Sequence, residues 1–191
     1  MDDNQNYVAI DKVFKNIWDY LKVGVKNRDS DYHTFSFATS YKNIVKNRTI
    51  VLRDYSEKNK TISFHTNNLT EKILDINNNK NVEALFYNRK EKIQIRISGL
   101  ATINKQDNLY KKKWLEMSSQ TKECYFQNIN PGQSIDDPDL VTSTIKNEIS
   151  KNFKIITIHI NKIDWLYLSS KGHKRIKFIA PDNFKGKWVA P

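Results

Sequence analysis

A single cysteine, Cys124, in 191 residues leaves the chain no disulfide framework and no multi-cysteine metal site. Glycine is scarce too. The five present form neither a GxGxxG nor a GxxxxGK(S/T) phosphate loop, and there is no GxSxG nucleophile elbow. The four histidines, His33, His65, His159 and His173, are scattered and include no HExxH pair, so no metal site is expected. No apolar run approaches the ~20 residues of a membrane span. The first ten residues, MDDNQNYVAI, are polar and hold no apolar signal core. These absences point to a cytoplasmic chain with no membrane partner. Acidic residues are outnumbered, 21 against 32, for a net charge of +11. The lysines are spread along the chain, with Lys111-Lys-Lys113 the densest group, and such a spread reads as solvated faces. The rival reading is a basic nucleic-acid-binding β-barrel with Tyr32, Phe35 and Phe37 stacking bases.

What is present is a series of short, alternating runs. Arg48-Thr-Ile-Val-Leu-Arg53, Lys60 to Thr66, Asn81 to Tyr87 and Lys92 to Ser98 alternate with period two between polar turns, the pattern of antiparallel strands. Tyr32 to Tyr41 is a further strand, and Lys42 to Asn47 reads as a polar turn. Phe153 to Asn161, continuing towards Leu168, is the clearest strand, and Lys174 to Ala180 is the last. Helices are expected at Ile10 to Lys26, Leu69 to Ile76 (Leu69, Ile73 and Ile76 inward), Asn108 to Met117 (Leu109, Trp114 and Leu115 inward) and Asp139 to Ile149. Residues 118–138 read as loop. With no repeat or linker, residues 1–191 form one domain. At least six locally linked strands favour a closed barrel or a sandwich. One junction carries chemistry. A strand ending at Thr66 turns into a helix opening with Thr70 and Lys72, which places backbone N–H groups and a cation where they can hold a phosphate.

These runs, in order, resemble the FMN-binding split-barrel family related to pyridoxamine 5'-phosphate oxidase. Arg48-Thr-Ile-Val-Leu-Arg53 is similar to the family's R-x-V-x-L-K/R strand, and Phe64-His-Thr-Asn67 to its F-Y/H-T-N turn. Thr70-Glu-Lys72 resembles S-R-K. Ala84-Leu-Phe-Tyr87 and Gln94-Ile-Arg-Ile-Ser-Gly99 resemble L-x-F-Y/W and Q-V/I-R-V/I-x-G. His173-Lys-Arg-Ile-Lys-Phe178 and Trp188…Ala190-Pro191 resemble the closing H-R-x-x-R-F and W…L-x-P.

The resemblance implies a mainly β fold, a six-stranded antiparallel split β-barrel of Greek-key type with flanking helices. It also implies a homodimer with FMN at the subunit interface. Carried over by position, Arg48 and Lys72 hold the phosphate with Thr66 and Thr70, and His65 joins the cofactor-binding set. The backbone of Thr49, Ile50, Val51 and Leu52 runs along the flavin ring. Gln94 meets the ring's polar edge, Arg175 or Lys177 approaches it from the last strand, and Gln133 and Ser134 add contacts. The implied function is a flavoprotein oxidoreductase that moves hydride between flavin N5 and a small organic substrate. The alternatives are pyridoxamine 5'-phosphate oxidase proper and a flavin-binding or sensor protein without turnover.

Several departures bear on this. Glu71 stands where the family often has a second Arg, and Asn79-Lys80 replaces Asn-Pro. The R-P-x-x-S substrate-phosphate segment is missing. The C-terminal motif is shortened and has lost its Arg. The cofactor half of the resemblance is thus fuller than the substrate half, and substrate choice is expected to lie between Trp114 and Pro138 and near the shortened C-terminus.

Overall fold

The computed structural model describes residues 9–105 and 107–191, so most of the polar N-terminal decapeptide lies outside the described residues. Helix α1, Ile10–Lys26, has the expected bounds and buries Val13, Ile17, Trp18 and Leu21. Strand β1, Thr34–Tyr41, turns directly into β2, Ile44–Val51. Tyr41 is registered opposite Ile44, so Lys42 and Asn43 alone make the turn. Both have positive φ, 50° and 63°, the conformation of a type I′ hairpin, whose twist suits the flanking strands. Most of the expected polar turn at 42–47 is therefore strand. Its signal is weak because β2 ends the strand order and leaves Ile44 and Val45 exposed.

The chain continues through β3 (Asp54–Ser56), β4 (Thr61–Asn67), helix α2 (Glu71–Asn78), β5 (Asn81–Asn88) and β6 (Ile93–Ile103). Helices α3 (Asn108–Leu115) and α4 (Ser119–Glu123) follow, then β7 (Phe153–Tyr167), β8 (Lys174–Ile179) and β9 (Gly186–Val189). Every strand pairing is antiparallel, in the order β2-β1-β5-β6-β7-β4-β3, with β9 on β8 and β8 on β7. Only Leu52 and Arg53 separate β2 from β3. Their N–H groups donate to His33 O (2.8 Å) and Ser63 O (2.9 Å). That link brings the two ends of the path together and closes a barrel of six staves, with β2 and β3 as one. The fold is thus the expected mainly β split barrel. Further strand segments arise from the break at Leu52 and from the β8–β9 extension.

One residue decides how β7 serves two surroundings. Its first half pairs with β4 and its second half with β8, while β6 follows its other edge. The β6–β7 register shifts at Ser98/Gly99: Gly99 faces Ile160 and Ser98 faces Lys162, leaving Asn161 as the extra residue. An inserted residue flips the inward face of everything after it. Accordingly Ile156, Ile158 and Ile160 are buried before the bulge, and Ile163 and Trp165 after it. Gly99 is required here, because a Cβ would run into the carbonyl oxygen of His159.

The main core fills the barrel and the contact with α1, including Trp18, Phe35, Phe37, Phe64, Phe86, Trp165 and Phe178. A second cluster, Tyr110, Trp114, Tyr125, Phe153 and Ile155, packs on the outside of β7. It corrects the expectation for α3. Tyr110 and Trp114, four residues apart, are the buried face, whereas Leu109 and Leu115 are exposed. The Tyr110 hydroxyl donates to Phe153 O at 2.9 Å, which anchors the helix over a narrow strip of strand. Within 118–138, read as loop, Ser118 caps the short α4 by accepting from Thr121 N. The helix expected at Asp139 to Ile149 is absent. A single 3-10 turn, Pro138–Leu140, precedes irregular chain, and Leu140 in the turn and Ile145 after it are both exposed. A helix this short needs a buried face to form, and none is available there. Leu69 precedes α2 and is also exposed, while Ile73 and Ile76 are buried as expected.

Candidate functional site

The junction of β4 and α2 gathers the first group of functional side chains. Ile62, Phe64 and Thr66 form the inward face of β4, so Thr66 is a buried hydroxyl at the end of an apolar wall. Thr70 is the N-cap residue of α2, and its hydroxyl donates to Asn67 O at 2.8 Å. The Thr66 and Thr70 hydroxyls lie 3.2 Å apart. Lys72, in the first turn of α2, donates from Nζ to Thr66 Oγ1 at 3.2 Å. Arg48 reaches the same end of the barrel from β2. Its Nη1 donates to Thr39 Oγ1 at 2.7 Å and Phe37 O at 3.3 Å, and its Nη2 is 3.8 Å from Asp75 Oδ2. Arg48, Thr66, Thr70 and Lys72 are therefore brought together.

Three further members of this group escape sequence reading. Asp75 is fully buried. It accepts from the Thr39 hydroxyl at 2.7 Å and from Lys46 Nζ at 3.3 Å. The signal for Thr39 was a polar residue continuing the inward Phe35, Phe37 alternation. For Asp75 it was an acid between Ile73 and Ile76 on the inward face of a helix. Lys46 was hidden in the supposed turn. Glu71 is mostly exposed and pairs with Lys46 at 3.4 Å.

The electrostatics favour an anion. Burial first, and then the nearby Arg48 guanidinium, lower Lys72 from 10.5 to about 8 against the pull of Asp75 and Glu71. Burial likewise lowers Arg48. Lys72 makes no ion pair among the described residues. Two cations partly withdrawn from water, one of them lacking a carboxylate, beside two hydroxyls and a helix N-terminus make a donor set that fits a phosphate dianion.

From Arg48 the chain runs along β2 through Thr49 (exposed), Ile50 and Val51 (half-buried) to Leu52, which is buried in the core. Among the described residues β2 pairs with β1 alone. The strand ends beside a cavity of about 300 Å³ lined by Arg28, Arg53, His65, Lys113, Ser118 and Thr121, among others. His65 belongs here, since alternation along β4 puts it on the face opposite Thr66. Burial, reinforced by Arg53 and Lys113, lowers its imidazole from 6.5 to about 4. Lys113 is bonded to Asp54 at 2.7 Å.

Gln94 lies elsewhere. It sits between buried Ile93 and Ile95, hence on the outside of the barrel, in a cross-strand row with Tyr87, Leu166 and Arg175. Arg175 is committed to Asp164 through Nε–Oδ1 (2.9 Å) and Nη2–Oδ2 (2.8 Å), and Arg96 donates to the same carboxylate at 2.7 Å. Burial alone would raise Asp164, but the bonds from Arg175 and Arg96 outweigh it and hold the carboxyl below its ordinary value. Lys177, one row along the same face, has no carboxylate partner among the described residues. Gln133 and Ser134 are exposed beyond the Pro131-Gly132 turn, where Gly132 has φ 85° and Gln133 N donates to Asn130 O at 3.1 Å. None of Gln94, Gln133, Ser134, Arg175 or Lys177 bonds to the Arg48–Lys72 group.

A closed antiparallel barrel with a cation group where β4 meets its crossover helix defines a split barrel with a donor set suited to a phosphate as a class. Residues 15–105 match the family model described as pyridoxamine 5'-phosphate oxidase, FMN-binding domain. The matched part runs from within α1 to just past β6, and the family that it resembles is FMN-binding. Among solved structures it is similar to a pyridoxamine 5'-phosphate oxidase-related, FMN-binding protein from Nostoc punctiforme (19% identity, 93% of this chain, 96% of that one, TM-score 0.75). It is also similar to PhzG from Burkholderia lata, solved in complex with tetrahydrophenazine-1-carboxylic acid (16% identity, 100% and 96% covered, TM-score 0.73). General stress protein 26 from Bacillus anthracis is more remote (16% identity, 91% and 99% covered, TM-score 0.52). At these identities the likeness is one of fold. No curated protein matches the chain.

Proposed function

We propose that the protein is an FMN-dependent oxidoreductase acting on a small anionic substrate. The observation that carries this reading is the convergence of Arg48, Lys72, Thr66 and Thr70 into a donor set with surplus positive charge. In this reading the two cations and the two hydroxyls hold the FMN phosphate, and the β2 backbone from Thr49 to Leu52 lies along the cofactor. A strand advances about 3.3 Å per residue, so Arg53 lies roughly 16 Å from Arg48, at the far end of an extended ligand. There Arg28 and Arg53 present positive charge to a substrate acid group, Lys113 being held by Asp54 and Glu116, and His65, neutral at pH 7, can donate or accept a hydrogen bond. When bound, the flavin supplies hydride chemistry at N5; the protein binds and orients.

A second copy of the chain completes the site in this reading. Gln94 and Lys177 lie on the outer wall of β6 and β8, neither of which pairs with β2 or β4, so in this reading they reach the ligand from another copy. A homodimer with FMN at its interface lets one subunit hold the phosphate and the other supply Gln94 and Lys177 to the ring. Lys177 is preferred to Arg175 because Asp164 already occupies the latter.

Purified protein is expected to be yellow and to release FMN on denaturation. Colourless protein that takes up no FMN on incubation overturns the reading. Reduction of the bound flavin by NAD(P)H separates a reductase from a flavin carrier. An assay for pyridoxal 5'-phosphate formation is expected to show no activity.

A further inference from the structure

Lys46 and Arg48 are two residues apart on β2, so their side chains leave the same face of the strand. Both end on one carboxylate: Lys46 Nζ is 3.3 Å from Asp75 Oδ1, and Arg48 Nη2 is 3.8 Å from Asp75 Oδ2. The Thr39 hydroxyl gives Oδ2 a bond of 2.7 Å and in turn receives Arg48 Nη1 at 2.7 Å. A fully buried carboxylate has to be paired, and the geometry of that pairing is fixed by its surroundings. Here the pairing aims two cations at the end of the barrel where Lys72 and Thr66 already meet.

The charges do not balance within this group. Lys46, Arg48 and Lys72 supply three positive charges. Asp75 is the one buried negative charge, and its oxygens are taken up by Thr39, Lys46 and Arg48. The other carboxylate, Glu71, has a side chain 73% exposed, and an exposed ion pair of this kind is worth little. Lys46, 29% exposed, can therefore exchange Glu71 for a phosphate oxygen at small cost while Asp75 keeps its stem in place. Glu71, at the head of α2, is drawn towards Lys46 rather than left as an unpaired charge beside the anion.

We propose that Lys46 is a third phosphate-binding cation, positioned by Asp75, and that it sets the site's preference for a flavin bearing a terminal phosphate monoester. FMN carries that group. Riboflavin lacks it, and a flavin diester offers fewer charged oxygens to the same three cations. This assignment rests on the FMN reading above and goes beyond it, since Lys46 and Asp75 are not among the residues that the resemblance supplies.

The test is a fluorescence titration of the full chain with FMN and with riboflavin, at fixed ionic strength, for the wild type, K46M, K46R and D75N. K46M is expected to weaken FMN about tenfold while leaving riboflavin unchanged, and K46R to keep FMN within about threefold of wild type. D75N is expected to lose FMN preference in the same direction, because Lys46 and Arg48 are no longer aimed. If D75N does not fold, the Lys46 variants decide alone. An FMN-to-riboflavin affinity ratio in K46M equal to that of the wild type overturns the assignment while leaving the FMN reading intact. A wild-type chain that binds no FMN overturns the FMN reading, and this assignment with it.

Discussion

Raising the pH should loosen FMN in a way that Lys72 alone accounts for. Without ligand, burial and the Arg48 guanidinium hold the Lys72 ammonium near pKa 8. A phosphate dianion set against it reverses both causes, by replacing lost hydration with a charge-assisted hydrogen bond and by offsetting Arg48. Below pH 8 the cation is in place before the ligand arrives. Above pH 8 binding must take up a proton, and affinity declines until the pKa of the bound state is reached. If that value returns to the ordinary 10.5, linkage gives roughly a tenfold rise in Kd between about pH 7 and pH 9. Riboflavin titrated in parallel subtracts any ionisation of the ring, since it shares the ring and lacks the phosphate. K72M should weaken FMN at neutral pH by about 2–3 kcal/mol, the scale of a desolvated charge-assisted contact, and should flatten the profile above pH 8. Arg48→Ala should cost a similar amount and move the onset of the decline to higher pH without abolishing it, because Arg48 is the second of the two causes that lower Lys72. The reasoning is refuted if FMN affinity is level from pH 7 to pH 9, or if K72M keeps the wild-type slope.

Three other outcomes test the fold and the second pocket. The unfolded His65 imidazole takes up its proton near pH 6.5, but the folded one only near 4. Between those values the unfolded state binds more protons, so ligand-free stability should fall as pH drops through this window, by up to about 3 kcal/mol; urea melts of wild type and H65Q should differ in slope there. Trp114→Ala removes a buried indole packed on Tyr125, Phe126 and Phe153 and should cost about 3–5 kcal/mol in urea unfolding. Deleting Asn161 should remove the bulge yet keep cooperative unfolding and a native near-ultraviolet spectrum, because the shortened strand alternates Ile160, Lys162, Ile163 and leaves Ile163 and Trp165 inward; loss of cooperative unfolding in the deletion variant would refute the bulge argument.

The barrel was legible in the sequence wherever one face of a strand is buried, because period-two alternation reports burial. It failed where that report is absent. Ile44 to Asn47 reads as a turn because β2 leaves Ile44 and Val45 in water, and alternation then marks no face. Leu109 and Leu115 read as core because they are apolar, yet α3 lies on the outside of β7 and covers only Tyr110 and Trp114. Arg48, Thr66, Thr70 and Lys72 could be named because the family motifs carry them, and in the structure they lie together. Asp75, Thr39 and Lys46 belong to the same group but take their meaning from contacts across 29 to 36 positions, which no local spacing reveals. The cavity beside His65 was invisible for the same reason. Arg28, Arg53 and Lys113 come from three separate parts of the chain.

The separation of the two groups carries the strongest physical argument for a shared ligand. Among the described residues, the buried polar side chains Thr39, Thr66 and Asp75 lie at one end of the barrel, and that end carries more positive than negative charge. Such an arrangement costs stability in the empty protein, as the depressed Lys72 shows, and an apolar end would pack without that cost. On the outer wall, Arg96 and Arg175 clamp Asp164 and leave Lys177 and Gln94 facing outward with donors to spare. An anion that binds the folded chain and not the unfolded one returns that lost stability by mass action. In the homodimer proposed above, a ligand with a phosphate at one end and a flat polar edge at the other would engage both groups, the second copy bringing its outer wall to the first copy's barrel end. Under that proposal the two donor sets match the two ends of one cofactor, a phosphate monoester and a hydrogen-bonding ring.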